Sequence, residues 1–156
     1  MLKPSLKWFF VFCGSIAAVT MMWFLGIMQM LWDVDKSHLS FVTMAGYFGW
    51  SLYVGWLSAK SRESNDVSYF KAPLHASWFV SELMMVSGMA GTIVGFMYML
   101  HGASGTLSSG VVSPEFLMNS ALGLSTSCVT TLVGLVCCYL LRTQLVNLEN
   151  EIGYAE

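Results

Sequence analysis

The chain has 156 residues, of which 56% are apolar, 14% aromatic and 10% charged, and its formal net charge is −2. Soluble domains carry about 25% charged residues, so this chain has too few charges to cover a water-soluble fold of its length. Its seven Lys and Arg residues are scattered singly, which excludes a basic stripe that would bind nucleic acid. We therefore expect a protein whose solvent is the lipid bilayer.

Four apolar stretches predict an all-α integral membrane protein that forms a single membrane domain over residues 1–156. The predicted transmembrane helices cover residues 8–32, 39–59, 77–100 and 115–141. Each has about the 20 residues that a helix needs to cross the hydrocarbon layer. Tryptophans flank the first stretch, as expected where indole rings favour the headgroup layer. Polar links at 33–38, 60–76 and 101–114 separate the helices.

Positive charges near the helix ends predict the orientation, because Lys and Arg flanks resist translocation. If four helices alternate across the membrane, Lys36 is alone on one side. The other side then holds the remaining six basic residues: Lys3, Lys7, Lys60, Arg62, Lys71 and Arg142. Both termini and the 60–76 loop are thus predicted to be cytoplasmic, and the links at 33–38 and 101–114 external.

Small residues mark one face of the third predicted helix. Gly91 and Gly95 make a GxxxG pattern and Gly88 extends it. Such faces let neighbouring helices approach closely in lipid, so we interpret these glycines as packing residues. Thr92 lies within the same face, where its hydroxyl can either bond the carbonyl of the preceding turn or face a water-filled gap.

A stripe of hydroxyl and amide groups runs along the fourth predicted helix. At helical spacing the stripe is formed by Asn119, Gly123, Thr126, Thr130 and Gly134, with Ser127 and Thr131 beside it. It can seal one helix against another, because hydroxyls can bond their own helix backbone. It can equally line a polar conduit. The residues alone leave both interpretations open, and Gly123 and Gly134 serve packing in either.

Glu82 is the one carboxylate well inside a predicted helix, ten residues before Thr92, or about 15 Å along the axis. An ionisable residue inside a membrane is a functional hypothesis by default, so Glu82 is a candidate proton relay at the cytoplasmic mouth of a polar conduit. Alternatively, the helix begins in the cytoplasm and Glu82 pairs with Lys71 or with a neighbouring subunit.

Other chemistry is not indicated by the sequence. His38, His75 and His101 lie at different predicted membrane boundaries, so they do not predict a metal centre. No loop or helix brings together a nucleophile, a base and an orienting group. We therefore expect neither an enzyme nor a bound cofactor.

Two segments resemble the pore helices of the MotA/TolQ/ExbB family of proton channels. Residues 91–96, Gly-Thr-Ile-Val-Gly-Phe, are similar to the core of the family's first pore helix, and residues 123–135 are similar to the second. Both occur in the expected order across an external loop. The resemblance covers nearly half of the chain.

This resemblance implies a proton-channel subunit of a motor driven by the proton-motive force, in the inner membrane of a bacterium. Such subunits form a homo-oligomer, a pentameric ring whose last two helices line a central pore. The partner is a single-span protein of the ExbD, TolR or MotB kind that carries an intramembrane aspartate. Thr92 and Thr131 match the family's pathway threonines by position. Four further polar residues would extend this ion pathway: Asn119, Thr126, Ser127 and Thr130.

The chain departs from the family pattern at three places: the first removes a charge usual in ExbB and TolQ, and the other two disfavour a flagellar stator, which leaves a minimal four-helix member closer to the TolQ and ExbB core. Thr126 stands where ExbB and TolQ usually have a glutamate, and Gln144 stands where the flagellar branch has a proline. The 60–76 loop is also too short for the flagellar cytoplasmic domain. The alternatives are a small holin-like pore former, or a membrane assembly scaffold whose polar stripe only packs helices.

Overall fold

The computed structural model describes residues 4–35, 37–61, 68–109 and 114–153, and every regular element in these ranges is an α-helix. In chain order the helices are α1 (Pro4–Phe24), α2 (Ile27–Val34), α3 (Leu39–Lys60), α4 (Ser68–Ser109) and α5 (Pro114–Ile152). The predicted all-α class is confirmed for the part of the chain that the structure describes.

Three of these helices are long and apolar enough to cross a bilayer, by length and composition. The corresponding stretches are Leu6–Phe24, Tyr69–His101 and Phe116–Asn150. α3 has 22 residues, which is long enough, but it is not among the three because its glycines, serines and aromatic residues lower its hydropathy. The chain is thus compatible with a membrane protein, and a fourth span at α3 stays a prediction.

The first predicted span is divided in the structure. α1 ends at Phe24, and α2 begins after a turn in which Gly26 has φ 71°. A left-handed conformation is easily adopted only by glycine, so Gly26 allows the chain to change direction here. The residues between Phe24 and Trp32, which we predicted to continue the first span, therefore belong to a turn and a separate short helix.

α4 and α5 extend well beyond the predicted spans and form an antiparallel hairpin. α4 begins at Ser68 and includes Pro73 near its start, so most of the predicted 60–76 loop that is described is helical. α4 also continues to Ser109 and α5 starts at Pro114, which makes most of the predicted 101–114 loop helical. Lys36 and residues 62–67 and 110–113 of the predicted links lie outside the described residues.

The hydrophobic core lies towards the end of the hairpin where α4 begins and α5 ends, which we call the open end; the opposite end is the turn end. α3 packs there against both long helices. The core side chains are Tyr47, Val54, Leu57, Phe70, Leu74, Met84, Cys137, Cys138, Leu141, Leu145 and Leu148. α1 adds Trp8, whose indole lies over Gly55 and donates a 3.0 Å hydrogen bond to the Ser51 carbonyl. Towards the turn end the hairpin extends past the level where α3 starts.

Candidate functional site: the α4–α5 hairpin

Glycines bring the backbones of α4 and α5 into direct contact. A Cβ atom built on Gly134 would lie 2.8 Å from the Cα of Gly88, and one built on Gly123 would lie 2.6 Å from the carbonyl oxygen of Gly95. Between these two crossings, Gly91 lies against the side chain of Thr130. We call this contact of Gly88, Gly91 and Gly95 with Gly123, Thr130 and Gly134 the glycine seam. All five predicted packing glycines lie in it.

Three of the predicted pathway hydroxyls are buried and already bonded. Ser127 Oγ donates to the carbonyls of Gly123 (3.0 Å) and Thr92 (3.1 Å). Thr130 Oγ1 donates to the Thr126 carbonyl at 2.9 Å. Thr126, Ser127 and Thr130 are 1%, 6% and 2% exposed. Their hydroxyls therefore bond backbone carbonyls within this chain, in agreement with the packing alternative that the sequence left open.

Thr126 also joins α5 to the turn between α2 and α3. Its Oγ1 donates to the carbonyl of Val34 at 2.5 Å as well as to that of Leu122 at 2.9 Å. This is the position where the resembling family usually has a glutamate. In this chain the side chain at that position holds a neighbouring loop rather than facing outward.

Thr92 and Thr131 lie at the edge of the glycine seam, and both are half-buried. Thr92 Oγ1 donates to the carbonyl of Met89, one turn earlier in α4. Thr131 Oγ1 donates to the Ser127 carbonyl at 2.8 Å and is 3.5 Å from the carbonyl oxygen of Gly88. Ser127 also bonds the Thr92 carbonyl, so the two threonines lie near the same level on facing helices.

The two threonines face away from α3. α3 contacts α4 through a 2.7 Å hydrogen bond between Thr43 and Ser87, and it contacts α5 through Gln144. At about 100° per residue, Thr92 lies about 140° round α4 from Ser87, and Thr131 lies about 140° round α5 from Gln144. We call this side of the hairpin, which α3 leaves open, the uncovered groove.

Asn119 is exposed on α5 near the turn end, and the structure does not bring it to the threonine pair. It lies three turns of helix from Thr131, or about 18 Å along the axis. Of the six predicted pathway residues, therefore, two lie on the uncovered groove, three are in helix contacts and one is at the turn end.

Glu82 belongs to a charged cluster at the open end of the uncovered groove. Its Oε1 is 3.6 Å from Nη2 of Arg142. The guanidinium of Arg142 lies over the ring of Trp78, 5.6 Å from its centroid, and the indole N–H of Trp78 donates to Glu149 at 2.6 Å. Glu82 thus pairs with Arg142, a partner that neither of our interpretations named; the pairing alternative named Lys71 or a neighbouring subunit.

Sequence reasoning missed a polar network inside the helix bundle. Gln144, 1% exposed, accepts a 2.8 Å hydrogen bond from Ser51 and donates to Tyr47 Oη at 3.3 Å. The Tyr47 hydroxyl is also 2.8 Å from that of Ser15 on α1. The network joins α1, α3 and α5. The sequence gives little signal for it, because Gln144 lies among other polar residues after the fourth predicted span.

Asp35 is a second feature that the sequence did not single out. It is 0% exposed and lies between α2 and α3, outside the apolar spans. Its carboxylate accepts hydrogen bonds from the N–H and Oγ of Ser37 (3.1 and 2.6 Å) and from the N–H of Ser40 (2.9 Å). Burial opposes ionisation, but the bonds from Ser37 and Ser40 outweigh it, so the pKa of Asp35 lies below its ordinary value. Asp35 therefore organises the turn that offers the Val34 carbonyl to Thr126.

Comparison with protein-family models, with curated proteins and with solved structures gives no match for this chain. Among the described residues, no three His, Cys, Asp or Glu side chains come together as a metal centre would require. The hairpin with its threonine pair and its charged cluster is the arrangement on which a function can be argued.

Proposed function

We propose that this chain is the proton-channel subunit of a membrane motor, and that it forms a homo-oligomeric ring around a single-span partner. One observation carries the proposal: Thr92 and Thr131 lie on facing helices at the same edge of the glycine seam, on the side of the α4–α5 hairpin that α3 leaves open. The resemblance to MotA, TolQ and ExbB proteins suggests a pentamer and a partner with an intramembrane aspartate. In this arrangement α3 is a fourth span, both termini are cytoplasmic and the membrane is the bacterial inner membrane.

The physical reason for threonines at this place is solvation of a charge. An ionised carboxylate is costly in hydrocarbon unless hydroxyls and water surround it. Two threonine hydroxyls at a half-buried, partly hydrated edge can exchange their bonds to backbone carbonyls for bonds to that carboxylate. Proton binding and release on the partner would then proceed beside the hairpin, and the change of charge would move the partner relative to the ring.

The exposed apolar surface of the subunit agrees with further contacts in an assembly. Soluble monomers rarely expose contiguous apolar patches larger than a few hundred Å². Here Met89, Ile93 and Phe96 are more than half exposed on α4, and Leu124 and Leu132 are equally exposed on α5. Lipid, neighbouring subunits and the partner helix would share these surfaces.

The test is proton uptake by proteoliposomes that contain the chain together with a single-span partner, for which a product of the neighbouring gene with an intramembrane aspartate is the first choice. Thr92→Val and Thr131→Val should abolish uptake, while Thr92→Ser and Thr131→Ser should retain it. Thr20→Val is the matched control, because Thr20 is exposed and bonds only the Ile16 carbonyl of its own helix. Native mass spectrometry of the same sample should give five copies of this chain.

A scaffold is the second candidate, and one observation favours it: Thr126, Ser127 and Thr130 are bonded within the subunit. A scaffold would tolerate valine at both Thr92 and Thr131. Unchanged uptake in the double valine variant, or a monomer in native mass spectrometry, would reject the channel. A large ring with an open lumen would instead indicate a holin-like pore.

A further inference from the structure

Arg142 is held in place from three directions at the open end of the uncovered groove. Glu82 Oε1 lies 3.6 Å from its Nη2, Ser81 Oγ lies 3.4 Å from its Nε, and the Trp78 ring lies under the guanidinium. Stacking on an indole face stabilises a guanidinium through the ring quadrupole. The positive charge therefore has a defined position, although the side chains of Arg142 and Glu82 are 42% and 64% exposed.

This charge lies on the same line as the threonine pair. Thr131 and Arg142 are eleven residues apart on α5, which is close to three full turns and about 16 Å of rise. On α4, Glu82 precedes Thr92 by ten residues, or about 15 Å. An ion that moves along the groove between the threonines and the open end therefore crosses the level of Glu82 and Arg142.

Stability alone does not account for this pair. Exposed ion pairs contribute only about 0.2–1 kcal/mol, yet both residues fall inside the apolar stretches Tyr69–His101 and Phe116–Asn150. Charged residues in such stretches mark ion pathways. Among the described residues, other ionisable side chains at this end are Glu149, which accepts a hydrogen bond from Trp78, and Lys60, which bonds Tyr69. Lys71 and His75 line a cavity of about 500 Å³ together with Trp78 and Glu149.

We propose that Arg142 is an electrostatic barrier to cations at the cytoplasmic mouth of the pathway, and that Glu82 neutralises it. The pair then sets the rate of proton passage by its net charge, and Glu82 does not carry the proton itself. This inference rests on the proposed channel function. It differs from a relay role for Glu82 in one measurable respect, which is the behaviour of the double variant.

The experiment measures proton uptake in the same proteoliposomes for single and double charge variants. Glu82→Gln leaves the Arg142 charge uncompensated beside the path, which should slow uptake about three- to fivefold. Arg142→Gln removes the barrier and should give uptake equal to or above that of the wild type. The double variant Glu82→Gln/Arg142→Gln restores neutrality and should return uptake to within about twofold of the wild type.

Charge-preserving variants and salt separate electrostatics from structure. Glu82→Asp and Arg142→Lys keep both charges and should retain most of the uptake. The Glu82→Gln defect should shrink in about 0.5 M salt, where the screening length falls to a few ångströms. The midpoint of unfolding in detergent, measured for each variant, identifies any loss of uptake that follows from loss of the fold.

If uptake by the double variant is as slow as that of Glu82→Gln, the inference is overturned. The defect would then follow from loss of the Glu82 carboxylate as a proton carrier, and not from the net charge of the pair. A Glu82→Gln defect that salt does not reduce would also overturn the inference. This salt test still applies if the variants that contain Arg142→Gln fail to assemble. Failure of the wild-type complex to conduct would instead refute the channel function, and this inference with it.

Discussion

The glycine seam makes a quantitative prediction for Gly134→Ala. The added Cβ would lie 2.8 Å from Gly88 Cα, 2.9 Å from the Met84 carbonyl oxygen and 3.0 Å from Gly88 N. Carbon atoms pack at about 3.5–4.0 Å, so α4 and α5 must separate locally by roughly 1 Å, and all three obstructing atoms belong to the backbone. Overpacking of this kind costs about 1–3 kcal/mol, while alanine in place of glycine returns up to about 1 kcal/mol through helix propensity. We expect a net loss of about 1–2 kcal/mol.

The assay is unfolding of the detergent-solubilised chain by increasing fractions of sodium dodecyl sulfate, followed by tryptophan fluorescence. Gly46→Ala is the matched control, because a Cβ on Gly46 meets nothing within 4 Å; this variant should be neutral or slightly stabilised. Gly88→Ala should fall between the two, since its Cβ would lie 3.2 Å from Gly134 Cα. A Gly134→Ala protein that unfolds as late as Gly46→Ala would refute the close backbone contact.

Two further predictions concern the buried polar groups. The pKa of Asp35 lies below its ordinary value of 3.8, so ionised Asp35 stabilises the fold at neutral pH, and this contribution is lost as pH falls below 3.8 through the folded-state pKa. Asp35→Asn should therefore weaken the acid dependence of the unfolding midpoint, whereas Asp33→Asn, at an exposed carboxylate, should leave it unchanged; equal acid dependence in both variants would contradict the assignment. Gln144→Leu should destabilise by about 1–3 kcal/mol because it removes the acceptor of the buried Ser51 hydroxyl and one of the bonds of Tyr47. Tyr47→Phe should cost less, about 1 kcal/mol, and a larger loss for Tyr47→Phe in the same unfolding assay would show that Gln144 is not the centre of the network.

The helical class follows from the sequence because composition and apolar run length carry that information directly. The helix ends do not, and α1 shows why. The average hydropathy over residues 8–32 is that of one continuous apolar helix. The chain nevertheless changes direction at Gly26 through its backbone torsion, and hydropathy carries no information on that torsion. In the same way, Lys71 and His75 read as loop residues by their polarity, yet α4 continues through them because Leu74 and Phe70 on its other face are buried.

The candidate site could be predicted only in part, for a related reason. Helical periodicity places Thr126, Thr130 and Thr131 near one stripe, but it does not say which neighbouring helix covers which part of that stripe. The structure shows α4 and the α2–α3 turn covering the first two, and only the edge at Thr131 left half-buried. Pairing across helices, such as that of Glu82 with Arg142, depends on the register of α4 against α5, and that register is set by which glycines meet.

The two interpretations of the polar stripe are therefore compatible, because they apply to different residues of one hairpin. Hydroxyls in the glycine seam bond the carbonyls beside them, and this allows two apolar helices to approach closely without leaving polar groups unpaired. The close approach places Thr92 and Thr131 on facing helices at the same edge of the seam. A wider helix pair, with alanines or leucines in place of Gly88 and Gly134, would separate the two threonines. Packing in the seam is thus the condition for any function of the groove, and valine at Thr130 should act on stability where valine at Thr131 acts on conduction.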